Sequence, residues 1–187
     1  IPAFGLNQER GERRRTIEER SELVVSLTRE SDSAVVWCQL NEEGDRLEQD
    51  IPGAVQIKGS QNMEEKEERL VAFLDGQARV LVTKPKIAGL GLNLQHCAHV
   101  VTFVDHSYEQ FYQAVRRCWR FGQTRPVTLD VIATEGEINV QKNMDRKERL
   151  AEQMFEAVVK FMNDSQKVKS NKHARATEVP KWLASTN

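Results

Sequence analysis

Residues 107–123 read SYEQFYQAVRRCWRFGQ, and the rest of the chain is best understood outward from them. The apolar residues Tyr108, Phe111, Tyr112, Val115, Cys118 and Trp119 recur at i, i+3, i+4, i+7, i+10 and i+11. That spacing predicts a helix with one buried face. Ser107 followed by Gln110 fits a capping box at its start, and Gly122 fits its stop. At ~100° per residue, Gln113, Arg117 and Arg120 project from the opposite side, with Arg116 at the edge of that group. No acid lies between Gln110 and Gln123, so Arg116, Arg117, Arg120 and the nearby Arg125 have no local partner. Guanidinium groups are planar, permanently charged and matched to phosphate oxygens. Two readings stand side by side. One is a solvated basic helix face. The other is a polyphosphate clamp held rigidly by the aromatic side behind it, with Trp119 in the core.

Around this stretch, short apolar runs alternate with helical patterns. Residues 34–40, 54–57, 79–83, 98–104 and 127–133 read as strands, and Trp37 falls in the first of them. Helical patterns cover residues 12–30, 42–49, 63–74 and 139–163. The mixed charges of residues 12–30 read as a solvated face, and residues 1–11 as a loose lead-in. In the helix over 139–163 the apolar side is Leu150, Met154, Phe155, Val158 and Phe161. Solidly apolar strands alternating with helices predict an α/β fold, a parallel sheet covered on both faces. Ligands of such sheets sit at the carboxyl ends of the strands. Residues 1–165 are expected to form one domain, and 166–187 a basic tail that docks through Trp182 or stays disordered.

Composition narrows the class. The chain has 187 residues, with 27 Lys plus Arg against 28 Asp plus Glu, so net charge alone does not indicate a nucleic-acid binder. Cys38, Cys97 and Cys118 show no paired spacing and suit reduced thiols in a cytoplasmic protein. No apolar run approaches the length of a membrane span, and no signal peptide is evident. The first residue is Ile1, as expected of a fragment.

Several constellations carry possible chemistry. Gly89 and Gly91, in AGLGLNL, allow backbone N–H groups to approach phosphate or ribose. No Lys-Ser or Lys-Thr completes a phosphate loop, and no acidic tetrad that would hold Mg²⁺ occurs. His96, Cys97 and His99 contain metal-ligand types, but a strand would splay them to opposite faces, and no metal site is expected. Asp105, His106 and Ser107 spell the letters of a catalytic triad. Neighbours in sequence cannot adopt its geometry, so a loop and a helix cap are expected there.

Taken together, these residues resemble the second RecA-like lobe of a superfamily-two helicase or translocase of the Swi/Snf type, in a bacterial or phage variant. QAVRRCWRFGQ, residues 113–123, resembles the family's motif VI: Arg117 and Arg120 fall on its two arginines, and Gln113, Gly122 and Gln123 match. LVTKPKIAGLGLNL, residues 81–94, resembles motif V with two extra residues around Pro85 and Lys86. Gly59 and Ser60 resemble the glycine-serine pair of an earlier segment. Arg116 stands where the family pattern has an aspartate, and the usual tryptophan-asparagine-proline turn before motif VI is absent.

The resemblance implies an ATP-driven motor on double-stranded DNA, with ATP and Mg²⁺ bound mainly by a preceding RecA-like lobe of the same protein. It implies that Arg117 and Arg120 act on the γ-phosphate, that Gln113, Gly89, Gly91 and Asn93 line the nucleotide site, and that Gly59, Ser60, Thr83, Lys84 and Lys86 face nucleic acid. By itself the chain is expected to be an inactive half-site. A strand-separating helicase lobe and a non-catalytic nucleic-acid or partner-binding module are the alternatives.

Overall fold

In the computed structural model, residues 6–87, 92–104 and 107–170 are described, with side chains between 10 and 163. Five strands, β1 Ala34–Trp37, β2 Ala54–Ile57, β3 Val80–Thr83, β4 His99–Phe103 and β5 Thr128–Ile132, form one sheet. Every pairing is parallel and the order is β2-β3-β1-β4-β5. The helices are α1 Leu6–Arg15, α2 Ile17–Thr28, α3 Asn41–Asp50, α4 Met63–Leu74, α5 Tyr108–Arg116 and α6 Ile138–Ser170.

The strands are solidly apolar because both faces of the sheet are covered. Val35, Trp37, Leu81 and Val100 meet Phe73 of α4, Ala114 of α5 and Cys118 on one face. Ala34, Val36, Val80, Val82 and Val101 meet Val24 of α2 and Leu47 of α3 on the other. This is the expected α/β, RecA-like arrangement, and Trp37 is buried as its strand position predicts. The chain divides into two units, Ile1–Asp145, which contains the sheet, and Arg146–Asn187.

Local signals explain most boundaries. The Asn62 side chain accepts from Glu65 N at 2.8 Å and starts α4, while Gly76 at φ 75° follows its end. Gly44 of α3 lies against Gln56, where an added Cβ would come within 2.0 Å of the amide nitrogen. Any larger residue there would have to displace the Gln56 side chain.

Three expectations are corrected. The arginine helix stops at Arg116, not at Gly122, and the chain tightens into turns from Arg117. The apolar stripe extended through this break therefore loses its phase. Ala114 and Cys118 are buried, whereas Trp119 is 55% exposed and Tyr112 40%. Trp119 is not core; small residues let the helix approach the sheet, and the large rings remain outside.

The amino-terminal segment is likewise more ordered than expected. Helix α1 already begins at Leu6, and the chain breaks at Thr16 before α2. Most of its charges are solvated as expected, but Arg13 and Arg20 are buried, together with Glu43 and Glu137. Arg13 Nε pairs with Glu137 Oε1 at 2.6 Å and its Nη2 donates to Val104 O at 2.9 Å. Arg20 Nη2 pairs with Glu43 Oε1 at 2.7 Å, and the guanidinium lies 4.6 Å over the Phe103 ring. The partners lie far away in sequence, so periodicity could not reveal them.

Helix α6 runs to Ser170, beyond the expected end at 163. Val140 and Met144 near its start are buried, but Leu150, Met154, Phe155, Val158 and Phe161 are all exposed. Of the expected basic tail, residues 171–187 lie outside the described residues.

Candidate functional site

Helix α5 starts past the carboxyl end of β4 and runs back along the sheet, so the arginine segment after it lies against residues 94–97, which lead into β4. Ser107 Oγ accepts from Gln110 N at 3.3 Å, the cap predicted from sequence. Among the described residues, no carboxylate pairs with Arg116, Arg117, Arg120 or Arg125. Arg117 is half-buried, and its Nε is buried without a hydrogen-bond partner. Burial pulls its guanidinium pKa below the usual range, but an arginine remains charged at any physiological pH. An uncompensated buried N–H donor on a cation is a place where an anionic oxygen would be stabilised. Arg120 and Gln113 are exposed. Arg116 lies 5.5 Å over both the Tyr112 and Trp119 rings, so its charge faces an aromatic pair and not the Arg117 side.

The arginine segment is tied to the residues that follow the glycine loop. Leu94 N donates to Arg117 O at 3.1 Å, Gln95 Nε2 donates to Phe121 O, and Arg125 Nη2 donates to His96 O. Gly122, at φ 99°, lies against Gln95, and its positive φ disfavours any side chain there. Leu94, Cys97 and Cys118 are fully buried at this junction. The Cys97 and Cys118 thiols are neighbours, an arrangement that lowers the Cys97 pKa and, with burial, raises that of Cys118.

The remaining predicted residues divide by exposure. Gly89 and Gly91 lie outside the described residues. Asn93 is exposed and hydrogen-bonds to Gln95 at 3.4 Å. Gly59 and Ser60 are exposed just after β2, and the position of a Gly59 Cβ would be 3.7 Å from Ile87. This brings them beside the loop that carries Lys84, half-buried, and Lys86, exposed. Thr83 is different: it is 1% exposed and its hydroxyl donates to Ile57 O at 3.0 Å. Its hydroxyl is thereby committed to joining β3 to β2. An apolar pocket of about 230 Å³ between Ile57, Leu70, Ile87 and Leu92 lies beneath this loop.

A Ser-His-Asp chain does exist, but at the amino end of the sheet. His99 Nδ1 is 2.6 Å from Ser31 Oγ and Nε2 is 2.7 Å from Asp130 Oδ2. Ser31 follows the negative, carboxyl end of α2 and is flanked by Glu30 and Asp32, a setting that disfavours an oxyanion. We read this chain as a tie joining β4 and β5 to the turn before β1. It also commits His99, while His96 packs edge-on against Phe73. The metal-ligand residue types of residues 96–99 are thus directed apart.

Two functional groupings escaped the sequence reading. The buried Arg13–Glu137 and Arg20–Glu43 pairs left one local trace, the Thr134-to-Glu137 capping box, in which Glu137 Oε2 accepts from Thr134 N at 3.1 Å. The linkage between residues 93–97 and 117–125 left none.

Comparison with known proteins agrees with this geometry. The fold resembles the C-terminal part of the Fun30 ATPase domain, with a TM-score of 0.55 at 19% identity over 60% of this chain. The same match covers 39% of the Fun30 chain, so this sequence spans well under half of that relative. It also resembles the C-terminal domain of S. cerevisiae Dbp5 bound to Gle1 and IP6, with a TM-score of 0.59 at 12% identity over 70% of this chain and 79% of the other. At these identities the likeness shows the fold alone. No curated protein sequence gives a significant match. The sequence profile of the helicase conserved C-terminal domain, however, matches residues 16–122, which contain β1 to β4, α2 to α5 and both motif arginines, more than half of the chain. The chain belongs to the helicase conserved C-terminal domain family.

Proposed function

We propose that this chain is the C-terminal motor lobe of a Swi/Snf-like, DNA-dependent ATPase of the bacterial or phage type, acting in the cytoplasm on double-stranded DNA. In this reading ATP sits between the arginine segment and a preceding RecA-like lobe of the same protein, which supplies the phosphate loop. Mg²⁺ accompanies the nucleotide there; among the described residues no cluster of metal-ligand side chains converges. Arg117 and Arg120 stabilise charge on the γ-phosphate in the transition state, and Gln113, Asn93 and the Gly89–Gly91 backbone border the nucleotide. Gly59, Ser60, Lys84 and Lys86 contact the nucleic-acid backbone through phosphates and not bases. Thr83 supports this loop from within the sheet.

The observation that carries the reading is the half-buried Arg117, whose Nε has no partner in a segment fastened to the sheet at several points. A guanidinium kept desolvated and unpaired stores an interaction that only an incoming anion completes. The test is steady-state ATP hydrolysis by the intact two-lobe protein, with and without duplex DNA, for the parent, Arg117→Ala and Arg120→Ala. Parent rates in both variants would return the segment to a solvated basic face.

A second reading, a strand-separating helicase, is favoured by one feature. Tyr112, Trp119 and Phe121 are large rings exposed among guanidiniums, and unpaired bases stack on such surfaces. Displacement of a labelled strand, against displacement of a triplex-forming strand, separates the two.

A further inference from the structure

We infer that Gln123 is a positioning residue: its side-chain amide clasps the segment that follows the glycine loop to the arginine segment, so that the two shift as one body. The inference rests on the proposed function for its consequence, but not for its geometry. Gln123 Nε2 lies 2.8 Å from Gln95 O, 3.1 Å from Cys97 O and 3.3 Å from Cys118 O. Its Oε1 accepts from Arg125 N at 3.0 Å, and its own N donates to Arg120 O at 3.0 Å. One half-buried side chain thus contacts both sides of the junction and also the backbone of the segment that presents Arg120.

The chemistry requires an amide. An amide NH₂ has two hydrogens, so three carbonyls are served with one hydrogen shared. The Cys97 and Cys118 backbones lie at a buried junction, where an unserved carbonyl is costly. A carboxylate of the same shape would have only acceptors to offer to these carbonyls and would repel them. The surrounding ties all lead to the same place. Leu94 N reaches Arg117 O, and Arg125 Nη2 reaches His96 O. The segment they hold continues back through Leu92, which lines the pocket beside Ile57, Thr83 and Ile87. The clasp therefore joins the loop side of the sheet, where nucleic acid is proposed to bind, to the arginines proposed to act on ATP.

Two measurements on Gln123→Glu and Gln123→Ala test this. The first is backbone hydrogen exchange on this chain. Release of the clasp is expected to speed exchange at Leu94 and Cys97, whose N–H groups bond to Arg117 O and Leu94 O, by about tenfold or more. Exchange in β1 and α2 is expected to stay as in the parent. Unchanged exchange in Gln123→Glu, or equal acceleration throughout the molecule, overturns the clasp. The second is ATP hydrolysis by the intact protein as a function of DNA concentration. Gln123→Glu is expected to lower the DNA-stimulated rate by about tenfold, with KM for ATP within about twofold of the parent. If exchange changes but the stimulated rate does not, the clasp is structural and the positioning role is wrong. If the parent shows no DNA stimulation, the proposed function fails while hydrogen exchange still decides the clasp.

Discussion

Arginines occur in two contrasting settings in this lobe. Arg13 and Arg20, from the first two helices, are buried and each is ion-paired, to Glu137 and Glu43, although Arg20 Nη1 has no hydrogen-bond partner. Arg116, Arg117 and Arg120, at and after the end of α5, meet no carboxylate among the described residues. The first group holds two helices to the carboxyl ends of the sheet. Arg13 reaches Val104 O, and Glu43 also accepts from Gln39 N and Leu40 N, at 2.8 and 2.9 Å, just past β1. The second group is itself held by others. The difference shows that the same side chain serves architecture when its partner is supplied in the fold, and ligand chemistry when its partner is withheld.

The largest expected effect comes from the unpaired group. In the intact two-lobe protein, Arg117→Ala or Arg120→Ala is expected to lower the DNA-stimulated ATPase rate by about 10³, with nucleotide affinity little changed. The thermal melt of the lobe should remain near that of the parent, because no ion pair in the fold is lost. A large drop in melting temperature with Arg117→Ala would place it with the structural arginines and break the contrast.

The buried group should show the converse. Arg20→Ala leaves Glu43 as an uncompensated buried carboxylate, which costs on the order of 3–5 kcal/mol. Denaturant unfolding of this chain measures it, and a loss under about 1 kcal/mol would show that water reaches Glu43. Replacing Arg20 and Glu43 together by apolar residues of similar size should recover much of the loss, since pairing and not charge is what the site requires.

Two smaller effects sharpen the boundary. Arg116→Ala should lower the stimulated rate far less than Arg117→Ala, because Arg116 faces Tyr112 and Trp119. Hydrolysis assays of the two variants side by side decide this, and equal losses would join Arg116 to the site. Trp119→Ala should change stability by about 0.5 kcal/mol or less, as for a surface substitution. A loss of about 3–5 kcal/mol in a chemical melt would instead restore it to the core.

The sheet was legible because its signal is local. Residues 34–40, 79–83 and 98–104 are each dominated by a short apolar run, the local mark of a buried parallel strand. The start of α5 was legible for the same reason, since Ser107 and Gln110 are three residues apart. Its end was not. The stripe through Trp119 has helical spacing, but spacing does not record that the helix has already stopped at Arg116. Thr83 shows the same limit from the other side. Its motif position suggested a nucleic-acid contact, while its hydroxyl is engaged with Ile57 O on the neighbouring strand.

Periodicity, capping residues and the motif around Arg117 and Arg120 were enough, from sequence alone, to settle the parallel α/β class and to point to the arginine segment. These features depend on residues within a few positions of one another, and helices and strands repeat over that range. Only the tertiary structure decided which arginines have partners. Glu43 lies 23 residues from Arg20, Glu137 lies 124 from Arg13, and Gln95 lies 28 from Gln123. Whether a charge is paired, or a carbonyl served, depends on which distant segments the sheet order brings together, and no local pattern encodes that.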